Sequence, residues 1–515
     1  MPRWPYEELE ESALDSAPRP SASPLIALLG GVIAVGIGYV VTSAMTLPNV
    51  WAALVTMALC GVLGVIIWVA IRLPLVPILR TGLLASFWFR LEINLLPLIK
   101  QGHETPVGLV VSLNILLSLM LLVAFLYERR QGKETVRVFP AAFSWAAAMM
   151  VVFSMFSVMQ STEKQFGLYG LWWQMTELLL CFVGAAQFRS QRTLRQFVLV
   201  FAIAILLNAI LGILQYLELF SGWALLGATT GDRLMKIPGA EVSRASGLTE
   251  AANSFGWALV SYCPVILAPA LLAQEALPRW GRWLCMTAFF GGSIALLLTF
   301  SRGSWVAFVL TLPVFAVMVL SALPARERGR MILGLLGAFV ALVLCILPFL
   351  QPLSARLLGD DEGAAETRLP LMEVATAMIQ DHPILGVGLS NYEAVMRRYD
   401  HTADFITEAF PYPVHNLYLH VAAEAGLPVL LCLLTMVGIA MYCGWKAWRR
   451  TAPEMALPRA LAGGLIVGML AYLITAMKEP GSFDSGQIRN LFFLCGLLIA
   501  TERASRPMEV RSLPE

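Results

Sequence analysis

Apolar runs of about twenty residues recur along this chain from Pro24 almost to its C-terminus, each long enough to cross the ~30 Å hydrocarbon core of a bilayer. Hydrophobic residues make up 58% of the chain and charged residues 14%. A soluble domain carries about 25% charge, so most of this surface faces something other than water. The pattern predicts an all-α polytopic membrane protein with about fourteen transmembrane helices. They start near residues 25, 50, 76, 106, 138, 167, 195, 251, 283, 303, 331, 416, 458 and 488. The third segment, 76–99, is interrupted by Pro77, Arg80, Arg90, Glu92 and Pro97, and is either a weak span or a broken, re-entrant one. No stretch is long and polar enough to form a separate soluble domain, and no repeat recurs at a fixed period.

The net charge of +2 suggests no nucleic-acid partner; the placement of charge says more. Lys and Arg are retained on the cytoplasmic side of short loops. The basic loops at 127–133, 188–195, 324–330 and 445–450 all fall on one side of the fourteen-span map. Both termini are then cytoplasmic, and residues 221–250, the turn at 301–303 and the stretch 351–415 lie outside. Residues 1–24, acidic and rich in Pro and Ser, read as a disordered cytoplasmic tail rather than a signal peptide, which would begin with a basic region. Residues 25–220 form the N-terminal set of spans, 221–503 the second set with its external loop, and 504–515 a cytoplasmic tail. The eight cysteines all fall inside apolar runs without CxxC spacing, so they read as small core residues. Trp172, Trp173, Trp280 and Trp283 lie at span ends and read as interfacial belts.

The segment 351–415 is too polar to span and too long for an idle connection. Thr367 is placed to cap a helix with Leu371, Met372, Ala375, Met378 and Ile379 on one side. Ser390 and Glu393 form a capping-box pattern ahead of Tyr392, Val395, Met396 and Tyr399. Two short amphipathic helices on the membrane surface are expected, arranged as a lid. Between them Gly386 and Gly388 read as a turn, since the setting of a nucleotide-binding loop is missing.

All five histidines, His103, His382, His401, His415 and His420, map to the outer side. Histidine is the side chain best suited to proton transfer near neutral pH. No pair has the HxxxH spacing that sets two imidazoles on one helix face, so a metal site is not expected. Glu424 lies one turn after His420 and is placed to pair with it. Arg244, Arg302 and Arg368 are also external. Arg302 is flanked by apolar spans, where an unpaired cation costs a few kcal/mol. It either snorkels to lipid phosphates or joins other guanidinium groups on an anionic part of a lipid substrate, whose phosphate oxygens suit the planar fork. Arg233 and Lys236 would add positive field, which Asp232, Glu241 and Glu250 in the same loop would oppose. Arg90 and Glu92 are too close in sequence to face each other on one helix, and their role stays open.

Four segments carry a resemblance to a known family. They are RASGLTEAANSFGWAL at 244–259, LTFSRGSWVAF at 298–308, TRLPLMEVATAMIQDHPILGVGLSNY at 367–392 and HNLYLHVAAEAGLPVLL at 415–431. In this order, with a long external loop before a late span, they resemble the O-antigen ligase and O-antigen polymerase superfamily, which also includes bacterial protein O-oligosaccharyltransferases. The N-terminal half matches only as a set of spans. The resemblance implies a glycan donor carried on undecaprenyl diphosphate and transferred without metal, nucleotide or other cofactor. It implies a multi-pass protein of the bacterial inner membrane with its active site on the periplasmic face. By the resemblance, His415 matches the family's essential histidine, the catalytic base. Arg244 and Arg302 match the arginines that hold the diphosphate, and Arg368 the loop arginine beside it. His420, Glu424, Asn416, Arg233 and Lys236 are candidate supporting residues.

Elementary chemistry agrees with that assignment. A sugar hydroxyl is a poor nucleophile, and a base that takes its proton contributes about 10²–10⁴-fold in rate. Nearby arginines lower the histidine pKa and keep it neutral. Fixed guanidinium groups stabilise the charge that develops on a departing diphosphate. Direct displacement inverts the anomeric centre. The leading expectation is a ligase that passes a finished glycan to lipid A–core or another acceptor; the alternative within the family is a polymerase that joins repeat units of an O-antigen or exopolysaccharide. A flippase for lipid-linked oligosaccharides is the rival from another class. It should bury charges along a central path between repeated halves, whereas here the polar residues gather at the outer surface.

Overall fold

In the computed structural model, residues 75–88, 92–98, 107–131, 137–219, 234–237, 240–249, 251–358, 367–450, 455–479 and 486–506 are described. The chain divides into two compact units, residues 1–80 and 81–515. Of the first, only 75–80 are described, the opening of helix α1 (Leu75–Ser86). The tail at 1–24 and the spans expected near 25 and 50 lie outside the described residues.

The interrupted segment 76–99 is not one helix. The 12-residue α1 is followed by strand β1 (Glu92–Leu98), which pairs antiparallel with β2 (Val107–Ser112). Twelve residues rise about 18 Å, well short of the hydrocarbon core, so α1 does not cross it as one straight helix. The ladder shifts register between Asn94 and Pro97, where proline has no N–H to contribute.

Eight helices among the described residues are long and apolar enough to cross a membrane. They are α3 (Ala141–Gln160), α4 (Lys164–Gln187), α5 (Gln191–Tyr216), α6 (Ala252–Leu272), α7 (Arg279–Leu298), α8 (Arg302–Ala322), α15 (Leu427–Arg449) and α16 (Ala456–Thr475). Helices α2 (Leu113–Arg130), α9 (Ala325–Ile346) and α17 (Gly486–Ala504) have comparable lengths of 18, 22 and 19 residues. The protein is a multi-pass helical membrane protein. Its exposed side chains fit that: Val309 and Val317 on α8 are 65% and 67% exposed and Leu333 on α9 is 71% exposed, an apolar surface that suits lipid and not water.

Helices α6 and α16 form the buried centre. Without a hydrophobic force between helices in lipid, close backbone approach has to hold them together. Gly464 and Gly468 supply it: a Cβ on Gly464 would strike the Pro264 carbonyl and one on Gly468 the Ser261 carbonyl. Around this pair α5 packs on α7, α4 on α17, and α3 on α15.

Contacts at the helix ends show which loops share a side. At one end, Arg450 at the foot of α15 donates to the Glu502 carbonyl of α17 at 2.9 Å, and the last turns of α2 and α15 carry Arg129, Arg130, Lys446 and Arg449. At the other end, the Ala245 N–H donates to the Leu298 carbonyl and the Leu417 N–H to Ala476, each at 2.9 Å.

Between α9 and α15 the chain runs through α10 (Leu350–Leu358), α11 (Arg368–Asp381), α12 (Tyr392–Val395), a 3₁₀ turn (Met396–Tyr399), α13 (Ile406–Ala409) and α14 (Leu417–Ala425). This segment differs from expectation in three ways. The apolar side of α11 does not lie open to the membrane; Leu371, Ala375 and Met378 pack with Tyr392, Met396, Ile406 and Val414 in a core of their own. The Ser390–Glu393 capping box is absent: Ser390 is left-handed at φ +54° and Asn391 takes the N-cap position without a side-chain cap bond. Thr367 does stand at the N-cap of α11, but its hydroxyl accepts no capping bond. The span expected from 416 is also two helices, broken at Gly426 (φ +89°). A Cβ there would collide with the Ile384 carbonyl, and the break lets Leu427 N–H reach Pro383 O at 2.9 Å.

Helices α3 and α4 carry this layer. Ser157 Oγ donates to Glu424 O at 3.1 Å, Gln160 Nε2 and His382 Nδ1 are 2.8 Å apart, and the Glu163 N–H donates to Asn391 Oδ1 at 2.8 Å. Trp173 is buried within α4 and Trp172 Nε1 donates to Val110 O at 3.0 Å, so this pair serves packing instead of an interfacial belt. Trp280 and Trp283 are exposed at the start of α7.

Candidate functional site

Four helix ends meet at one mouth of the bundle. Arg244 follows strand β4 (Ala240–Ser243), which pairs with β3 (Leu234–Ile237). Its Nε donates to the Thr299 carbonyl at 2.8 Å and its Nη2 to Asn253 Oδ1 of α6 at 2.6 Å. Thr299 closes α7, and three residues on Arg302 opens α8. Gly303 beside it packs against the Lys478 side chain, just past the end of α16. The sequence produces this local form because SRG interrupts two apolar runs: Phe300 turns the chain at φ +53°, and Ser301 takes the N-cap position of α8.

His415 enters the same mouth through α14. Asn416 caps that helix, its Oδ1 accepting from Tyr418 N–H at 3.0 Å and Leu419 N–H at 3.1 Å. Tyr418 Oη then donates to the Leu473 carbonyl of α16 at 2.8 Å. These bonds and the Leu417–Ala476 bond tie the backbone around His415 to the end of α16. His415 Nδ1 lies 3.2 Å from the Pro413 carbonyl. A carbonyl only accepts, so Nδ1 carries the ring proton and the lone pair is left on Nε2.

The electrostatics favour a neutral ring. Burial and the Arg368 guanidinium at the head of α11 hold the His415 pKa below its ordinary 6.5, with His420 adding to the effect and the Pro413 bond opposing it. A neutral imidazole with Nε2 unprotonated can take a proton from an incoming hydroxyl.

The mouth also holds Glu479, which the sequence reading passed over. It lies just beyond α16, half-buried. Burial pushes its carboxyl up to about 7, against the opposing pull of the Arg368 and Arg244 guanidinium groups and a hydrogen bond from Asn253. Asn253, whose amide oxygen accepts from Arg244, also favours the charged form of Glu479. The available signal was positional. KEPGSFDSGQ at 478–487 is a polar connection between two apolar runs on the side of the bundle assigned to the exterior.

The structure thus brings Arg244, Arg368, His415 and Glu479 into one electrostatic cluster, with Arg302 on the adjoining helix start. His420 and Glu424 lie behind it. Both are buried, Nε2 and Oε1 are 3.5 Å apart, and Glu424 Oε1 accepts from Tyr392 N–H at 3.2 Å. Their pairing therefore supports the layer's core and the footing of α14. Gly386 (φ +65°) and Gly388 (φ +114°) form the expected turn against this footing; the Val387 N–H donates to Ala423 O and the Gly388 N–H to Glu424 O. His382 sits at the edge, 3.3 Å from Asp381, and His401 is exposed. His103, Arg90, Arg233, Asp232 and Glu250 lie outside the described residues, as do the side chains of Lys236 and Glu241.

Residues 287–434 match the family model described as O-antigen ligase. The match spans Arg302, Arg368 and His415, and supports the resemblance to that superfamily drawn from the motifs. No curated protein matches the chain.

Proposed function

From a multi-pass membrane protein with an O-antigen ligase domain, we propose an enzyme that transfers a glycan from an undecaprenyl diphosphate carrier to an acceptor hydroxyl. The reading rests chiefly on one observation: the His415 imidazole, its Nδ1 against the Pro413 carbonyl, feels the Arg368 guanidinium at the mouth where the family's motifs converge. In this reading His415 takes the acceptor proton while the hydroxyl oxygen attacks the anomeric carbon. The carbon–oxygen bond to the diphosphate breaks, and Arg244, Arg302 and Arg368 stabilise the charge it gains. Guanidinium groups take the part a metal ion plays elsewhere, and displacement in one step inverts the anomeric centre. The mouth faces the periplasm, with both termini cytoplasmic, as the basic loops indicate.

A ligase that passes a finished glycan to lipid A–core is the preferred form; a polymerase would use the same groups on a second lipid-linked glycan. A gel of surface and lipid-linked glycans from a deletion strain separates these, with the native chain or His415→Ala supplied in trans. Long chains stranded on the carrier mark a ligase, and single repeat units mark a polymerase. Full restoration by a folded, inserted His415→Ala protein would defeat the assignment of the base. Glycans unchanged by the deletion would favour a transporter.

A further inference from the structure

Resting on the reading of Arg244 as a diphosphate-binding arginine, we propose that Gln215 and Asn208 of α5 are its positioning residues, two buried amides that hold the backbone on which the guanidinium is mounted. Over the twenty residues from Phe197 to Tyr216, the polar side chains are Asn208, Gln215 and the closing Tyr216. An amide buried in a membrane-spanning bundle is costly unless it is bonded, so these two mark a task. Seven residues apart, close to two helical turns, they share one face of α5 with Gly212 between them. Both amides are buried and bond the segment that follows Arg244. Gln215 Oε1 accepts from the Ser246 and Gly247 N–H groups, each at 2.9 Å, and Gln215 Nε2 donates to Gly247 O at 2.9 Å. Asn208 Oδ1 accepts from the Leu248 N–H at 2.8 Å. With the Ala245 N–H given to Leu298 O, four consecutive N–H groups after Arg244 are bonded, three of them to α5.

Secondary structure does not hold this segment. Residues 244–246 belong to no helix or strand, and Gly247 is left-handed at φ +57°, a conformation that lets successive N–H groups converge on one oxygen. A Cβ on Gly212 would come within 3.0 Å of the Phe255 ring and 3.2 Å of Ala245 Cβ, so this glycine is what lets the segment lie against the helix. Asn208, Gly212 and Gln215 together form a receptor for residues 245–248. At its far end the Arg244 guanidinium is clamped as well, Nε on Thr299 O and Nη2 on Asn253 Oδ1. Those two bonds aim the guanidinium only while its Cα stays in place, and the backbone beside that Cα is held by α5. A site that works by fixed charge depends on such placement, since a shift of about 1 Å can cost on the order of 100-fold in rate. The amides bond backbone, so they act through Arg244 and not on the substrate.

The test uses the full chain in lipid nanodiscs, with farnesyl diphosphate as the probe in binding titrations. Gln215→Met keeps the length of the side chain and removes both amide ends; Asn208→Ala is the milder variant and releases the Leu248 N–H. Hydrogen exchange read by mass spectrometry should quicken at residues 245–248 in Gln215→Met, and less in Asn208→Ala, while α7 and α8 stay as protected as in the native chain. Affinity for the probe should fall about tenfold in Gln215→Met and at least as far in Arg244→Gln. The double variant should bind no more weakly than Arg244→Gln alone, whereas Gln215→Met combined with Arg368→Gln should multiply the two losses. A purely structural role would lower the melting temperature and leave the affinity of the folded protein unchanged. Native exchange at 245–248 in Gln215→Met, native affinity in that variant, or a full further loss on top of Arg244→Gln would each overturn the inference. Failure of the native chain to bind the probe, or native affinity in Arg244→Gln, would instead sink the diphosphate reading of Arg244, and exchange at 245–248 would still decide whether α5 holds the segment.

Discussion

Replacing Glu177 by leucine tests how the bundle holds a charge pair away from its mouth. Glu177 lies midway along α4, with Arg489 of α17 at 3.7 Å (Nε to Oε1), and the two side chains are 2% and 14% exposed. At an effective dielectric of about 20, that separation corresponds to roughly 4–5 kcal/mol of attraction. Desolvation of both charges offsets much of it, so the intact pair contributes little net stability. Losing one partner is different. With Glu177→Leu, Arg489 keeps its charge in a pocket shared with Asn114, Ser118 and Thr176, where among the described residues Asn114 Nδ2 and Ser118 Oγ have no hydrogen-bond partner. The expected loss is about 3–5 kcal/mol, as for other broken buried pairs, or about three powers of ten in the folded-to-unfolded ratio. Unfolding in mixed micelles of increasing denaturing detergent reads this directly. The double variant Glu177→Leu/Arg489→Met removes both charges and should regain most of the loss. A single variant as stable as the native chain, or a double variant no better than the single, would refute the argument.

Three further outcomes are expected. Arg368→Gln removes a cation that depresses the His415 pKa while burial of the ring remains. With His415 as the proposed base, activity falls as pH drops through that pKa; in the variant this acid limb should move up toward, but not past, 6.5, as a pH profile of kcat/KM would record. Asn416→Ala deletes the cap of α14 and should cost about 0.5–2 kcal/mol of stability together with part of kcat, with Asn416→Ser recovering most of both in thermal unfolding and rate assays. Gly386→Ala must hold a left-handed residue, at roughly 1–2 kcal/mol, and press its Cβ into the Glu424 backbone. Faster proteolysis of the layer between α9 and α15 would register it, and native resistance would contradict the packing.

The sequence was most informative where a local pattern decides the structure. Apolar length marked the helices from α3 to α8 and located α16 and α17 to within a few residues, because a bilayer sets that length. For 76–99 the interrupting prolines and charges left a broken segment as one of two readings, and the chain is broken there; 416–449 was read as one span, where hydropathy continues but the helix does not. At Gly426 the cause is a close approach to Ile384, forty-odd residues away in sequence, which hydropathy does not register. The Ser390–Glu393 capping box failed for a related reason: tertiary contacts fill the roles that local caps would play. Asn391 bonds Glu163 of α4, and Glu424 accepts from the Tyr392 N–H.

The same distinction explains the site. Arg244, Arg302, Arg368 and His415 stand inside recognisable motifs; Glu479 stands in a plain polar connection and becomes notable only through its neighbours. Its partners come from residue 244, from α6 and from α11, and only the folded bundle brings them together. What the connectivity adds is a division between fixed and layered parts. His415 is bonded through α14 to the end of α16, whereas Arg368 opens α11, whose apolar face is built into the separate core of the intervening layer. The histidine is thus joined to the bundle through α14 and to the layer through the adjacent Val414, whereas Arg368 stands at the head of the layer's own helix. Arg368 therefore acts on His415 and Glu479 from within that layer, and the charge balance at both depends on how α11 is seated.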